Sequence, residues 1–97
     1  MGDKKNLINL YLMGYKGMVS LQFFIESNKT ELISSVCIAN DPNVLSDYAD
    51  EILSICKTNN ITVFFKEESD RIPEAPFSIA ISWRWMISIK STLIVLH

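Results

Sequence analysis

The sequence is short of several things, and each shortage removes a class of protein. It has two cysteines, Cys37 and Cys56, in 97 residues. That is too few for a disulfide-built scaffold, and the pair reads as small buried hydrophobes of a reducing compartment. It has one histidine, His97. A lone imidazole with no cluster of other ligands makes no metal site. Neither charge sign is in excess: nine basic against eleven acidic side chains leave a formal charge of −2. A nucleic-acid binder carries a basic surplus or stripe, and none is present. A disordered chain would be less apolar than the 48% found here. No apolar run reaches the ~18 residues of a membrane span. The charged Met1–Lys5 is followed by a stretch broken at Asn6, Asn9, Gly14 and Lys16 with no cleavage site, so no secretory leader is expected. Collagen, coiled-coil and tandem-repeat patterns are missing as well. The expectation is a cytoplasmic α/β protein with no internal domain boundary over residues 1–97.

What is there alternates between strand-like and helix-like stretches. Leu7 to Met13 is a short apolar run that stops at Gly14, as a buried strand does. Gly14-Tyr15-Lys16-Gly17 reads as a loop and Met18 to Glu26 as a helix. Glu31 to Ala39 is a second strand, closed by the turn residues Asn40-Asp41-Pro42-Asn43. Leu45, Tyr48, Ala49, Ile52, Leu53 and Cys56 then follow helical spacing. Ser46 or Asp47 is a candidate cap there, and acidic residues fill the first turn. Ile61 to Phe65, Phe77 to Ser82 and Thr92 to Leu96 complete five strands. Lys66 to Pro76 reads as a polar loop, and Trp83 to Ser91 as a turn or one short helical turn.

Strands alternating with helices imply parallel β-α-β units. Right-handed crossovers place the first three strands in the order 3-2-1 with both helices on one face. A fourth strand on the far side of the first creates a switch point, where such folds bind ligands. The expected class is therefore α/β, a Rossmann-like, mostly parallel sheet of about five strands with two main helices. Long helices are available for one face only, and the chain stops on an apolar strand. A truncated domain, or a sheet completed by a second chain or a second copy, is expected.

Four stretches carry candidate chemistry. Gly14 to Gly17 lies where backbone N–H groups face an anion, but both the dinucleotide and phosphate-loop fingerprints are missing, and a tight turn is the simpler reading. Asp41-Pro42 is placed where an acidic residue meets a ribose, with a turn again simpler. His97 follows a buried run at the carboxyl end of a strand and is the side chain best suited to proton transfer near neutral pH, though by pattern alone a plain strand end is the simpler reading. Trp83-Arg84-Trp85-Met86 puts two indoles about an arginine, which suits stacking on a planar heterocycle or packing against further chain.

In order and spacing, the sequence resembles the N-terminal half of the folate-dependent formyltransferase catalytic domain over nearly its whole length. The resemblance rests on Met13-Gly14, on Ala39-Asn40-Asp41-Pro42, and on the helix leading through Thr58-Asn59-Asn60 into Ile61-Thr62-Val63. It continues through Pro76 to Trp85 and Leu93-Ile94-Val95-Leu96-His97. It implies 10-formyltetrahydrofolate as the formyl donor and an amine as acceptor. It also implies catalysis by His97 and a folate pocket lined by Trp83, Arg84, Trp85 and Met86. The family's Asn corresponds to Val95, and its Ser-Leu-Leu-Pro stretch and catalytic Asp would follow His97. The chain alone is therefore expected to be inactive. The stretch Asp41 to Asp47 holds no Lys or Arg, which argues against tRNA as partner. The Trp-rich turn and the short connection to the last strand resemble the sugar-nucleotide branch of the family, which implies an amino-sugar nucleotide as acceptor. The alternatives are a nucleotide- or folate-binding module without chemistry, a methionyl-tRNA formyltransferase fragment, and a non-functional remnant of a truncated reading frame.

Overall fold

A computed structural model describes residues 5–40, 48–83, 87 and 92–96. The elements are β1 (Ile8–Leu12), α1 (Gly14–Glu26), β2 (Ile33–Ile38), α2 (Ala49–Thr58), β3 (Val63–Phe65), β4 (Phe77–Ile81) and β5 (Thr92–Leu96). Two 3-10 turns, Thr30–Leu32 and Lys66–Arg71, lie between them. All five strands are parallel and stand in the order β3-β2-β1-β4-β5. The chain is an α/β protein with a Rossmann-like sheet, as the alternation of patterns implies.

One face is built by strand periodicity against two helices. Leu10 and Leu12 of β1, Val36 and Ile38 of β2 and Ile81 of β4 meet Leu21 of α1 and Ala49, Ile52 and Cys56 of α2 in one core. The spacing of 49, 52 and 56 puts the three α2 residues on one stripe. Ile52 is wholly buried, which stabilises the fold by about 1.5–3 kcal/mol. A bulge sets the register of β2: Ile8 pairs with Ile33, but Asn9 pairs with Ser35. Without the extra residue, Ile33 and Val36 would face opposite sides, because strand side chains alternate. With it, both enter the helix-side core.

The second face is covered without a long helix. β4 lies on the far side of β1 from β2 and β3, so a right-handed crossover from β3 must pass over the face opposite the helices. Lys66–Arg71 and residues 72–76 make that passage. Glu68 accepts a hydrogen bond from the Phe65 N–H at 3.1 Å where the turn begins. The exposed Arg71–Glu68 pair, 3.8 Å apart, adds little. The crossing is pinned from below by Asn9, which donates to the Pro73 carbonyl at 2.7 Å and accepts from the Ser35 hydroxyl at 2.7 Å. Asn9 and Ser35 are both buried, so each polar atom satisfies one that would otherwise be costly. The sequence expectation of a plain loop over 66–76 is corrected here, since its first half is helical and the whole segment is a cover for β1 and β2.

Three more boundaries differ from expectation. Gly14 to Gly17 is the first turn of α1, not a loop. Residues 30–32 form a 3-10 turn ahead of β2. The first described residue of α2's cap is Tyr48, in the left-handed region at φ 59; the expected caps Ser46 and Asp47 lie outside the described residues. β5 matches its expected bounds. It is an edge strand with Leu93, Ile94, Val95 and Leu96 between 38% and 51% exposed. Among the described residues, no helix is long and apolar enough to cross a membrane.

Candidate functional site

The switch point lies at the carboxyl ends of β1 and β4. These strands are direct neighbours, with Leu12 beside Ile81. From β1 the chain enters α1 on the helix face. From β4 it turns to the opposite face, where Trp83 packs. Two connections that part in this way leave a crevice between them.

Each wall has a local cause. Met13 is extended (φ −151, ψ 142), and Gly14 sits at φ +74, so strand becomes helix within one residue. Only glycine adopts that φ without cost. No side chain caps the start of α1, and its first turn contains no acid. Its free N–H groups and the positive end of its dipole therefore face the carboxyl edge of the sheet. On the other wall, Ser82 takes φ 57 and donates its N–H to the Leu96 carbonyl at 2.9 Å, tying the end of β4 to β5. That turn sends Trp83 down onto Tyr11, edge to face, with ring centroids 5.5 Å apart.

Of the expected cofactor-binding residues, Trp83 is at the mouth of the crevice but is 8% exposed, a member of the second-face core with Tyr11, Met13, Cys37, Ala39 and Ala80. It anchors the segment that follows rather than presenting its indole as an open platform. Arg84, Trp85 and Met86 lie outside the described residues, as do His97, Asp41 and Pro42. Val95 is described and is exposed on β5, beside Ala80 and one strand out from the crevice. A pair of rings was missed in the sequence. Tyr15, in the first turn of α1, meets Tyr48 at 5.6 Å, edge to face. By sequence Tyr15 falls in a loop and Tyr48 on a helix face; only the adjacency of β1 and β2 brings them together.

The two thiols are free and buried, one on each side of the sheet. Burial pushes Cys56 up to about 12. Burial, with Glu67 and Glu68 adding negative charge, does the same to Cys37. Burial also raises the Tyr11 phenol, with Cys37 contributing. At neutral pH both cysteines are protonated, so neither is an activated nucleophile. In the unfolded chain a thiol ionises from its ordinary value of 9.0. Between about 9 and about 12 the unfolded state therefore holds fewer protons than the folded state, and stability falls as pH rises. Each thiol contributes a slope approaching ~1.4 kcal/mol per pH unit. Urea titrations at stepped pH should show stability dropping above about pH 9, and the Cys56→Ala variant should show a shallower drop.

Among the described residues, no three His, Cys, Asp or Glu side chains come together as a metal site would require. A polar groove of about 390 Å³ lies at the other end of the sheet, lined by Asn6, Thr30, Glu31, Ser34, Asn60 and Thr62 among others. It is formed by the starts of β2 and β3, so it is separate from the switch point. No family model, no curated protein and no solved structure matches the chain.

Proposed function

We propose that the crevice between β1 and β4 binds tetrahydrofolate. In this reading it serves formyl transfer from 10-formyltetrahydrofolate to the amine of an amino-sugar nucleotide. The observation that carries the reading is the divergence of the two connections at Leu12 and Ile81, which makes the carboxyl ends of β1 and β4 the switch point of the sheet. Trp83, fixed on Tyr11, starts the Trp83–Met86 segment at the wall where the folate ring would lie. The uncapped first turn of α1 offers N–H groups to an anionic part of a ligand. In the transfer the amine nitrogen bonds to the formyl carbon, the folate nitrogen leaves and takes a proton, and the amine gives one up. His97 would relay that proton. With no basic residue in Asp41–Asp47, a tRNA acceptor is disfavoured.

Val95 favours a second reading, in which the site binds without chemistry. A valine has no hydrogen-bond donor for a developing oxyanion, and losing one such donor costs a factor of ~10² to 10³ in rate. Both readings predict saturable binding of tetrahydrofolate at one site per chain by calorimetry. They part on turnover once the Ser-Leu-Leu-Pro stretch and the catalytic Asp implied by the resemblance are supplied after His97: formyl transfer above the buffer rate then supports the first, and binding without transfer supports the second. Absence of folate binding overturns both.

A further inference from the structure

The outer face of α1 presents Tyr15, Val19 and Phe23 four residues apart, 60%, 39% and 68% exposed. This line is opposite the buried Gly17 and Leu21. Apolar side chains contiguous on a helix face mark an interaction surface.

The charges around this line say what fits it. Lys16 is exposed in the first turn of α1 and Glu26 is exposed at its last residue. Each is at the end of the helix where its own dipole disfavours it, since cations belong at the C-terminus and anions at the N-terminus. α2 has the ordinary arrangement, with Asp50 and Glu51 first and Lys57 last. Neither Lys16 nor Glu26 forms an ion pair among the described residues. A second α1 laid antiparallel would reverse both penalties. Each Lys16 would face the other helix's C-terminus and Glu26, and each Glu26 the other's N-terminus and Lys16. A parallel pairing would set like charge against like. Antiparallel packing also suits the apolar line, because Val19 lies near its centre and Tyr15 of one copy then approaches Phe23 of the other.

We propose that this face of α1 is a two-fold, self-complementary interface between two copies of the chain, with α1 packed antiparallel on α1. The proposal does not rest on the reading of the switch-point crevice, although the two meet at the start of α1, where the Glu26 of the second copy and an anionic ligand would compete for the same N–H groups. A single helix pair buries less than the ~800 Å² per partner of a standard interface, so the dimer is weak and concentration-dependent.

Sedimentation velocity on the full chain from about 10 µM to about 1 mM tests it. The wild type should move from monomer toward dimer across that range. Phe23→Ser should hold the chain monomeric. Lys16→Glu and Glu26→Lys should each weaken association by about tenfold or more, since each places like charges together twice across the two-fold axis. The double variant Lys16→Glu/Glu26→Lys should associate more tightly than either single variant, because the two charges exchange places, but less tightly than the wild type, because each then faces the like end of the other helix's dipole. Circular dichroism on every variant separates lost pairing from lost fold. A wild type that stays monomeric throughout overturns the proposal. So does association that survives Phe23→Ser, which would point to the β5 edge, or a double variant no better than the singles.

Discussion

Gly17→Val should abolish folding or cost the protein more than ~3 kcal/mol, read as loss of the cooperative transition in thermal or urea unfolding. Gly17 lies on the buried side of α1, directly over β1. A Cβ placed there would meet the Leu12 Cβ at 3.1 Å, its carbonyl carbon at 3.2 Å and its Cα at 3.3 Å. Two of these atoms belong to the backbone of the central strand, which has β2 on one side and β4 on the other and cannot yield to either. Alanine adds that same Cβ, so Gly17→Ala sets ~0.5–1 kcal/mol of helix propensity against contacts a few tenths of an ångström too tight, and should cost less than valine. Valine adds two further carbons on the same side. The helix would have to lift from the sheet, parting Leu21 from Leu10, Leu12 and Ile38 in the main core.

Leu10→Ala should destabilise by about 2–5 kcal/mol, a large share of the ~5–15 kcal/mol typical of such a domain. Leu10 is fully buried at the middle of β1, paired with Val36 on one side and Ile79 on the other. The strands around it are held by their ladders, so little can collapse into the space a leucine leaves. The expected readout is a fall in melting temperature of at least ~10 °C, with an unchanged far-ultraviolet spectrum below the transition. An equal truncation on exposed β5, Leu93→Ala, should cost much less, because Leu93 already keeps 38% of its surface in water.

These two positions also show where the sequence was legible. Leu10 belongs to an apolar run, and such runs, with the helical stripe through Ile52 and Cys56, were enough to give the strand order 3-2-1 and the fourth strand beyond the first. Handedness did the rest. Gly17 reads as part of a turn because two glycines, Gly14 and Gly17, stand within four residues. The positive φ at Gly14 does bend the chain, but Gly17 is there for close approach, a property of the packed pair α1 and β1 that no local pattern carries. The bulge at Ser34 is invisible for the same reason: it depends on which residues of β2 must share a face with α1 and α2. Lys66 to Arg71 is polar and so looks like a loop, although it is a 3-10 turn. That it opens a crossing held to Asn9 through Pro73 follows only from the strand order turning back past β1 after β3.

The candidate site was legible at its skeleton and less so in its detail. The switch point follows from the strand order. By sequence Trp83 reads either as a stacking indole or as one that packs; the turn at Ser82 buries it against Tyr11, as the packing reading has it. The Tyr15–Tyr48 pair needed β1 and β2 to be neighbours before it could be seen.

The central claim is that the crevice between β1 and β4 is where this protein meets its ligand. Amide chemical shifts recorded during a titration with tetrahydrofolate, and with a nucleoside diphosphate, test it most directly. The account predicts saturable shifts gathered at Met13, Gly14, Tyr15, Ser82 and Trp83, around the uncapped start of α1 and the end of β4. Shifts confined to Asn6, Thr30, Ser34 and Asn60, the groove at the opposite end of the sheet, or no saturable shifts with either ligand, would contradict it.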